Sequence, residues 1–230
     1  MRPVILAKFP LMVDWLKIKT VLLDMDGTLL DLNFDNYFWQ EYVPLQFAGR
    51  HGLNIEEAKN QLTQRYNAVA GTLDWYCIDY WTQTLNLDIA ILKDEVSHLI
   101  AVHPHVVDFL VSLRCTGKRL ILVTNAHHKS LNLKMRNTQL ADHFDLVICA
   151  HDFGVPKEDS SFWERLQQVE QFDPQTTLLI DDNDMVLRSA QDYGICHLLS
   201  VHKPDTKKTG KSSSEFQMIT SLLEIMPDIQ

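Results

Sequence analysis

Asp24 and Asp26 are separated by one residue; they follow the apolar run Val21-Leu22-Leu23 and precede Gly27 and Thr28. An apolar run ending in an Asp-Gly step reads as a buried strand that stops in a sharp turn. Alternation at the end of a strand sends Asp24 and Asp26 toward one side and turns Met25 away. Carboxylates held this close repel each other, and a bound cation or one shared proton relieves the repulsion. The pair suits phosphoryl chemistry. One carboxylate can attack phosphorus, while the other protonates the leaving oxygen and later helps to activate water. The bland alternative is a polar strand end with a turn.

The elements that must position these residues follow from pattern. Strands are predicted at Thr20–Asp24, Leu120–Thr124, Leu146–Cys149, Thr177–Ile180 and Cys196–Val201. Between them the spacing predicts helices at Val106–Gly117, Lys129–Thr138, Phe162–Val169 and Val186–Tyr193, and a last amphipathic helix at Glu215–Met226. Such alternation implies a parallel sheet covered on both faces, with ligands at the carboxyl ends of the strands. Residues from Tyr37 to about Leu99 are helical in pattern without a strand signal, and Asn54-Ile55-Glu56-Glu57 reads as a helix start. Asp31–Asn36 reads as a hinge leaving the sheet, and Lys203–Glu215, rich in Lys, Ser and Thr, as an exposed loop.

Asp24-Met25-Asp26-Gly27-Thr28 resembles the first motif of the haloacid dehalogenase-like (HAD) phosphatases. Leu120 to Ala126 resembles their second motif, Lys157 in Val155-Pro156-Lys157-Glu158-Asp159 the third, and Leu178 to Asp182 the acidic metal motif. Within that superfamily, Leu32–Trp39, Leu73–Cys77, Asp79–Trp81, Thr124–His127 and Pro156–Asp159 resemble the bacterial GMP/IMP nucleotidases. The resemblance implies an α/β fold: a Rossmann-like parallel-sheet core, residues 1–33 and 102–230, with an inserted α-helical cap of the C1 type, residues 34–101.

By the same resemblance Asp24 is the nucleophile and forms an aspartyl-phosphate, and Asp26 is the general acid/base. The second aspartate separates the chain from the dehalogenase branch, which needs no metal. Gly27 lets the backbone approach the phosphate, while the Thr124 hydroxyl, the Asn125 N–H and Lys157 bind its oxygens. Mg²⁺ is the implied cofactor, held by Asp24, Asp26 through its carbonyl, and Asp182, with Asp181 acting from further out; an all-oxygen set suits that ion. Asp184 reads as a helix N-terminal residue. The cap aromatics Tyr37, Phe38, Trp39, Trp75, Tyr76, Tyr80 and Trp81 offer faces for stacking a purine, although each taken singly reads as core.

The 230 residues suffice for one core with an inserted subdomain, and 46% hydrophobic with 22% charged residues is globular usage. A net charge of −9 argues against nucleic acid as a partner. Cys77, Cys115, Cys149 and Cys196 are scattered without a C-x-x-C pair, which implies free thiols and a cytoplasmic setting. Pro3–Ala7, flanked by Arg2, Lys8 and Pro10, is too short and interrupted for a signal or membrane segment. Among the ten histidines, His103, His105, His127 and His128 repeat no zinc spacing.

The resemblance implies phosphomonoester hydrolysis of a purine nucleoside monophosphate, by a monomer or homodimer, where the residues alone point to an anionic phosphate ester. The alternatives are a phosphoglycolate or sugar phosphatase, a phosphosugar mutase of the β-phosphoglucomutase kind, or a phosphate-responsive binding module. Receiver domains combine similar residues in a different order, with their paired acids first and the phosphorylated Asp later.

Overall fold

The computed structural model describes residues 13–212 and 214–227, so the apolar patch Pro3–Ala7 and its flanking residues lie outside the described residues. Strands β1 (Thr20–Leu23), β2 (Arg119–Thr124), β3 (Leu146–Cys149), β4 (Thr177–Asp181), β5 (His197–Val201) and β6 (Gln217–Ile219) form one sheet in the order β3-β2-β1-β4-β5-β6. Every pairing is parallel. Val21, Leu23, Leu120, Leu122 and Ile180 pack toward one face, and Leu22, Ile121, Val123 and Leu179 toward the other. Both faces are covered, so the strands carry continuous apolar runs where a half-exposed strand would alternate.

Helices α1 (Asn33–Tyr37), α2 (Val43–His51), α3 (Ile55–Val69), α4 (Leu73–Tyr76), α5 (Ile78–Leu85) and α6 (Ile89–Glu95) all lie between β1 and β2 in the chain. They close around their own core of Phe34, Phe38, Phe47, Leu62, Trp81 and Leu85. A π-helical stretch at Phe38–Tyr42 joins α1 to α2. The predicted helix start is present: Asn54 accepts the Glu57 N–H at 2.9 Å and completes a capping box for α3.

After the helical block come α7 (Val106–Cys115), α8 (His128–Thr138), α9 (Ala150–Phe153), α10 (Ser160–Val169) and α11 (Asp184–Tyr193). Val106, Phe109 and Leu113 of α7 and Leu131 of α8 cover the first face; Phe162 and Trp163 of α10 and Leu187 of α11 cover the second. Leu133 of α8 joins the core of the helical block instead, so α8 is the shelf on which that block rests.

Leu23 pairs with Leu122 on one side and Ile180 on the other. The chain therefore brings Asp24, Thr124 and Asp181 out at one edge. The strand order runs outward from β1 to β3 and then returns to β4 on the far side of β1, which leaves a crevice at that point.

Three expectations are corrected. The last helix is absent: Gln217–Ile219 is a strand on the open edge of β5, and Leu222–Ile225 is a single 3₁₀ turn whose Ser221 hydroxyl accepts the Leu223 N–H. An unpaired edge offered the backbone more hydrogen bonds than a short helix ending at Pro227. The described residues of Lys203–Glu215 form a loop, but Asp205 is buried and accepts from Asn36 Nδ2 at 2.6 Å, and Lys211 reaches the sheet. The segment Asp31–Asn36 is already helical from Asn33, and Asp31 binds the Thr206 backbone N–H and hydroxyl.

Candidate active site

Asp24 directly follows β1, and its N–H donates to the Ile180 carbonyl, which pins the residue to the sheet end. Its side chain is buried. Oδ1 accepts from Lys157 Nζ at 2.5 Å, while Oδ2 has no partner among the described residues. Lys157 also reaches Asp181 Oδ2 at 2.7 Å and the Val123 carbonyl at 3.2 Å. Burial pushes Asp24 up to about 6 against the pull of Lys157, and Asp181 adds to the rise. Burial works to lower Lys157, but Asp181 and Asp24 outweigh it and hold the ammonium charged.

Asp181 and Asp182 diverge as alternation requires. Asp181 is held on its other side too: its second oxygen accepts the Asn183 N–H at 2.8 Å. Asp182 points to the turn after β1, where a Cβ placed on Gly27 would lie 2.6 Å from its Oδ2. Gly27 has φ +89°, so both the backbone and the space demand glycine. Burial raises Asp182 well above the carboxylate range, and Asp24 and Asp181 raise it further. Carboxylate oxygens of Asp24, Asp181 and Asp182 lie within 4.8 Å of one another. Mutually repelling buried acids and an all-oxygen donor set fit a hard divalent cation such as Mg²⁺.

Thr124 ends β2 and Asn125 follows it. The Thr124 hydroxyl accepts the Ala126 N–H at 3.0 Å and so shapes the turn into α8. The Asn125 side chain accepts the Lys157 N–H at 2.9 Å and donates to Glu158 Oε2 at 2.9 Å. Glu158 also accepts from Asn183 Nδ2 at 3.0 Å and from the Tyr76 hydroxyl at 2.6 Å. One carboxylate thus ties β2, α11 and the helical block together. Asp184 is the first residue of α11 and binds Ser200 Oγ at 2.9 Å and Lys211 Nζ at 3.1 Å, as its helix-terminal reading expected.

Asp26 lies in a second chain of charges. Lys134 of α8 is 2.6 Å from Asp26 Oδ1 and 2.6 Å from Asp35 Oδ2, and Lys93 of α6 is 2.6 Å from Asp35 Oδ1. Lys93 also sits 4.7 Å above the Phe38 ring and 4.8 Å above Phe34. Burial raises Asp26 to about 6 against Lys134. Burial alone would raise Asp35 as well, but Lys134 and Lys93 win and hold it below the ordinary carboxylate range.

Asp24, Asp26, Asp35, Asp181, Asp182 and Asp184 line one cavity of about 680 Å³ between the sheet edge and the helical block. Trp39, Trp75, Tyr76 and Trp81 line it as expected, together with Tyr66. Tyr37, Phe38 and Tyr80 do not line it; Phe38 is core. The structure therefore brings together Asp24, Asp26, Gly27, Thr124, Asn125, Lys157, Asp181 and Asp182 and adds Asp35, Lys93, Lys134, Glu158, Lys211 and Tyr66. Lys93 follows Ile89 by four positions and Lys134 follows Leu131 by three, so each lies on an apolar helix stripe. That is the sequence signal of a buried lysine.

The haloacid dehalogenase-like hydrolase family model matches residues 18–194. The GMP/IMP nucleotidase YrfG of Escherichia coli is 38% identical over 217 residues, spanning 94% of this chain and 98% of that protein. A HAD phosphatase from Thermococcus onnurineus superposes with a TM-score of 0.75 at 23% identity, covering 90% of this chain and 96% of that one. A HAD family enzyme from Bacteroides thetaiotaomicron, solved with magnesium and inorganic phosphate, superposes with a TM-score of 0.59 at 18% identity, covering 81% and 95%. The motifs at the strand ends, the fold that aligns them and a relative matched along nearly its whole length agree, and the chain belongs to the haloacid dehalogenase-like hydrolases.

Proposed function

We propose that the protein is a Mg²⁺-dependent 5′-nucleotidase that releases phosphate from purine nucleoside monophosphates through an aspartyl-phosphate on Asp24. The observation that carries this is the free, buried Oδ2 of Asp24, set beside Lys157 and below an aromatic-lined cavity. Residues 1–33 and 102–230 act as the catalytic core and 34–101 as a cap over it. The 38% identity to a GMP/IMP nucleotidase supports the choice of substrate.

In the first step Asp24 Oδ2 bonds to phosphorus as the bond from phosphorus to the ribose oxygen breaks, and Asp26 gives its proton to that oxygen. In the second, Asp26 takes a proton from water, the water oxygen bonds to phosphorus, and the Asp24–phosphorus bond breaks. Lys157, the Thr124 hydroxyl and the Asn125 N–H hold the phosphoryl oxygens. The buried position of Asp26 keeps its acid form available near neutral pH. Asp24, Asp182 and the Asp26 carbonyl would hold Mg²⁺, with Asp181 positioning Lys157. When bound, the ion supplies charge neutralisation between the phosphate and the carboxylates. Trp39, Tyr66 and Trp75 offer the base its stacking faces.

Phosphate release with Mg²⁺ from GMP, IMP, AMP, UMP, phosphoglycolate and glucose phosphates, with Asp24→Asn as blank, tests the reading. Preference for GMP and IMP is expected. Preference for a non-nucleotide ester would overturn the substrate, and no release from any of them would overturn the activity.

A further inference from the structure

We propose that Cys77, His127 and His151 form a second metal site, for a Zn²⁺-class transition ion, on the seam between the helical block and the sheet. The three residues are far apart in sequence and come from three elements. Cys77 caps α5, His127 precedes α8 after β2, and His151 lies in α9 after β3. One ligand atom from each lies within 4.8 Å of the other two. The His127 and His151 rings meet edge to face, with centroids 4.9 Å apart.

Each group has ligand capacity to spare. His151 Nε2 is buried with no hydrogen-bond partner among the described residues, a costly state that a ligand would relieve. The Cys77 sulfur accepts a weak contact from the Tyr80 N–H at 3.4 Å. His127 accepts the Lys129 N–H on Nδ1 at 3.3 Å, a long contact that is given up when the ring proton moves to Nδ1 and Nε2, 3.6 Å from Asp79 Oδ2, takes the metal. The Asp79 carboxylate is engaged by Lys129 Nζ at 2.6 Å, so solvent can fill a fourth position.

The chemistry separates this site from the catalytic one. One thiolate and two neutral imidazoles suit Zn²⁺ or Co²⁺ and bind Mg²⁺ poorly, whereas the carboxylates at Asp24 and Asp182 suit Mg²⁺. Binding replaces the Cys77 thiol proton by the metal–sulfur bond and releases that proton to solvent, with no change of oxidation state. Cys77 follows Tyr76, and His127 follows Ala126; both preceding residues line the cavity. An ion here therefore ties the block to the sheet beside the substrate cavity and holds the cap shut. That consequence for turnover rests on the cap reading above, but the binding does not.

Titration of the full-length protein with Co²⁺ in excess Mg²⁺, without substrate, tests the site directly. A near-ultraviolet thiolate-to-cobalt charge-transfer band is expected to saturate at one ion per chain and to disappear on adding Zn²⁺. It should vanish in Cys77→Ser and weaken sharply in His151→Gln, with melting temperatures confirming that both variants are folded. It should persist in Cys115→Ser and Cys149→Ser. Absence of the band in the native protein overturns the proposal. So does its survival in Cys77→Ser, or its loss only in Cys149→Ser, which would assign the ion to the His128, Cys149 and Asp152 group.

Discussion

Lys157 shows how one side chain sets the character of the site. Its ammonium is shared between Asp24 and Asp181, all three groups being buried. Removing one partner of a buried ion pair costs about 3–5 kcal/mol because the remaining charge is stranded. Lys157→Met therefore lowers the melting temperature as well as abolishing turnover, and added Mg²⁺ recovers part of the stability and none of the activity. A Lys157→Met protein as stable as the native one, measured without metal, would show that the carboxylates do not depend on this cation. Asp24, Thr124, Asn125, Asp181 and Asp182 were legible in the sequence because each sits within two residues of a strand end, where local pattern fixes position, whereas Lys157, in the loop after α9, was legible only through the motif it resembles. Asp181 and Asp182 were separable on the same ground: neighbours at a strand end diverge, and the structure gives Asp181 to Lys157 and Asp182 to the glycine turn.

At the scale of elements, α8 is the piece that joins the helical block to the carboxylates. It carries Leu133 into the helical block and Lys134 into the pair with Asp26 and Asp35. Lys134 stabilises the ionised form of Asp26. Lys134→Gln keeps a hydrogen-bonding side chain but removes the charge, so the pKa of Asp26 rises. Its acid form then survives to higher pH, and the basic limb of the pH profile of kcat moves upward. An unshifted limb with only a lower melting temperature would make Lys134 a structural residue. This chain of charges escaped sequence reading because lysines on helices are normally solvated, and what buries these two is the packing of α6 and α8 against each other. The final strand escaped for a related reason: Ile219, Leu222 and Ile225 repeat at helical spacing, and only the open edge of β5 makes the extended form better. Lys211 comes from a loop whose composition matches solvent, yet it binds the Asp182 carbonyl, Asp184 and Ser200.

Across the whole molecule the site is an unbalanced charge held in place by the fold. Asp24 and Asp26 are both pushed up to about 6, chiefly by burial. Unfolded aspartates titrate near 4, so between about pH 4 and 6 the folded protein binds more protons than the unfolded chain. Folding stability from these groups is present at low pH and declines as pH rises through about 6. On the proposed reading a divalent cation binds the ionised carboxylates and cancels that decline. Thermal melts should show a small gain from Mg²⁺ near pH 5 and a much larger one near pH 8. Equal gains at both would mean that the carboxylates are ionised throughout or do not bind the ion.

The stereochemical course at phosphorus tests the central claim most directly, using a substrate made chiral with sulfur and heavy-oxygen isotopes. Attack by Asp24 followed by attack of water is two in-line displacements, and the account predicts net retention. Net inversion would mean that water attacks the substrate directly and that Asp24 never carries the phosphoryl group.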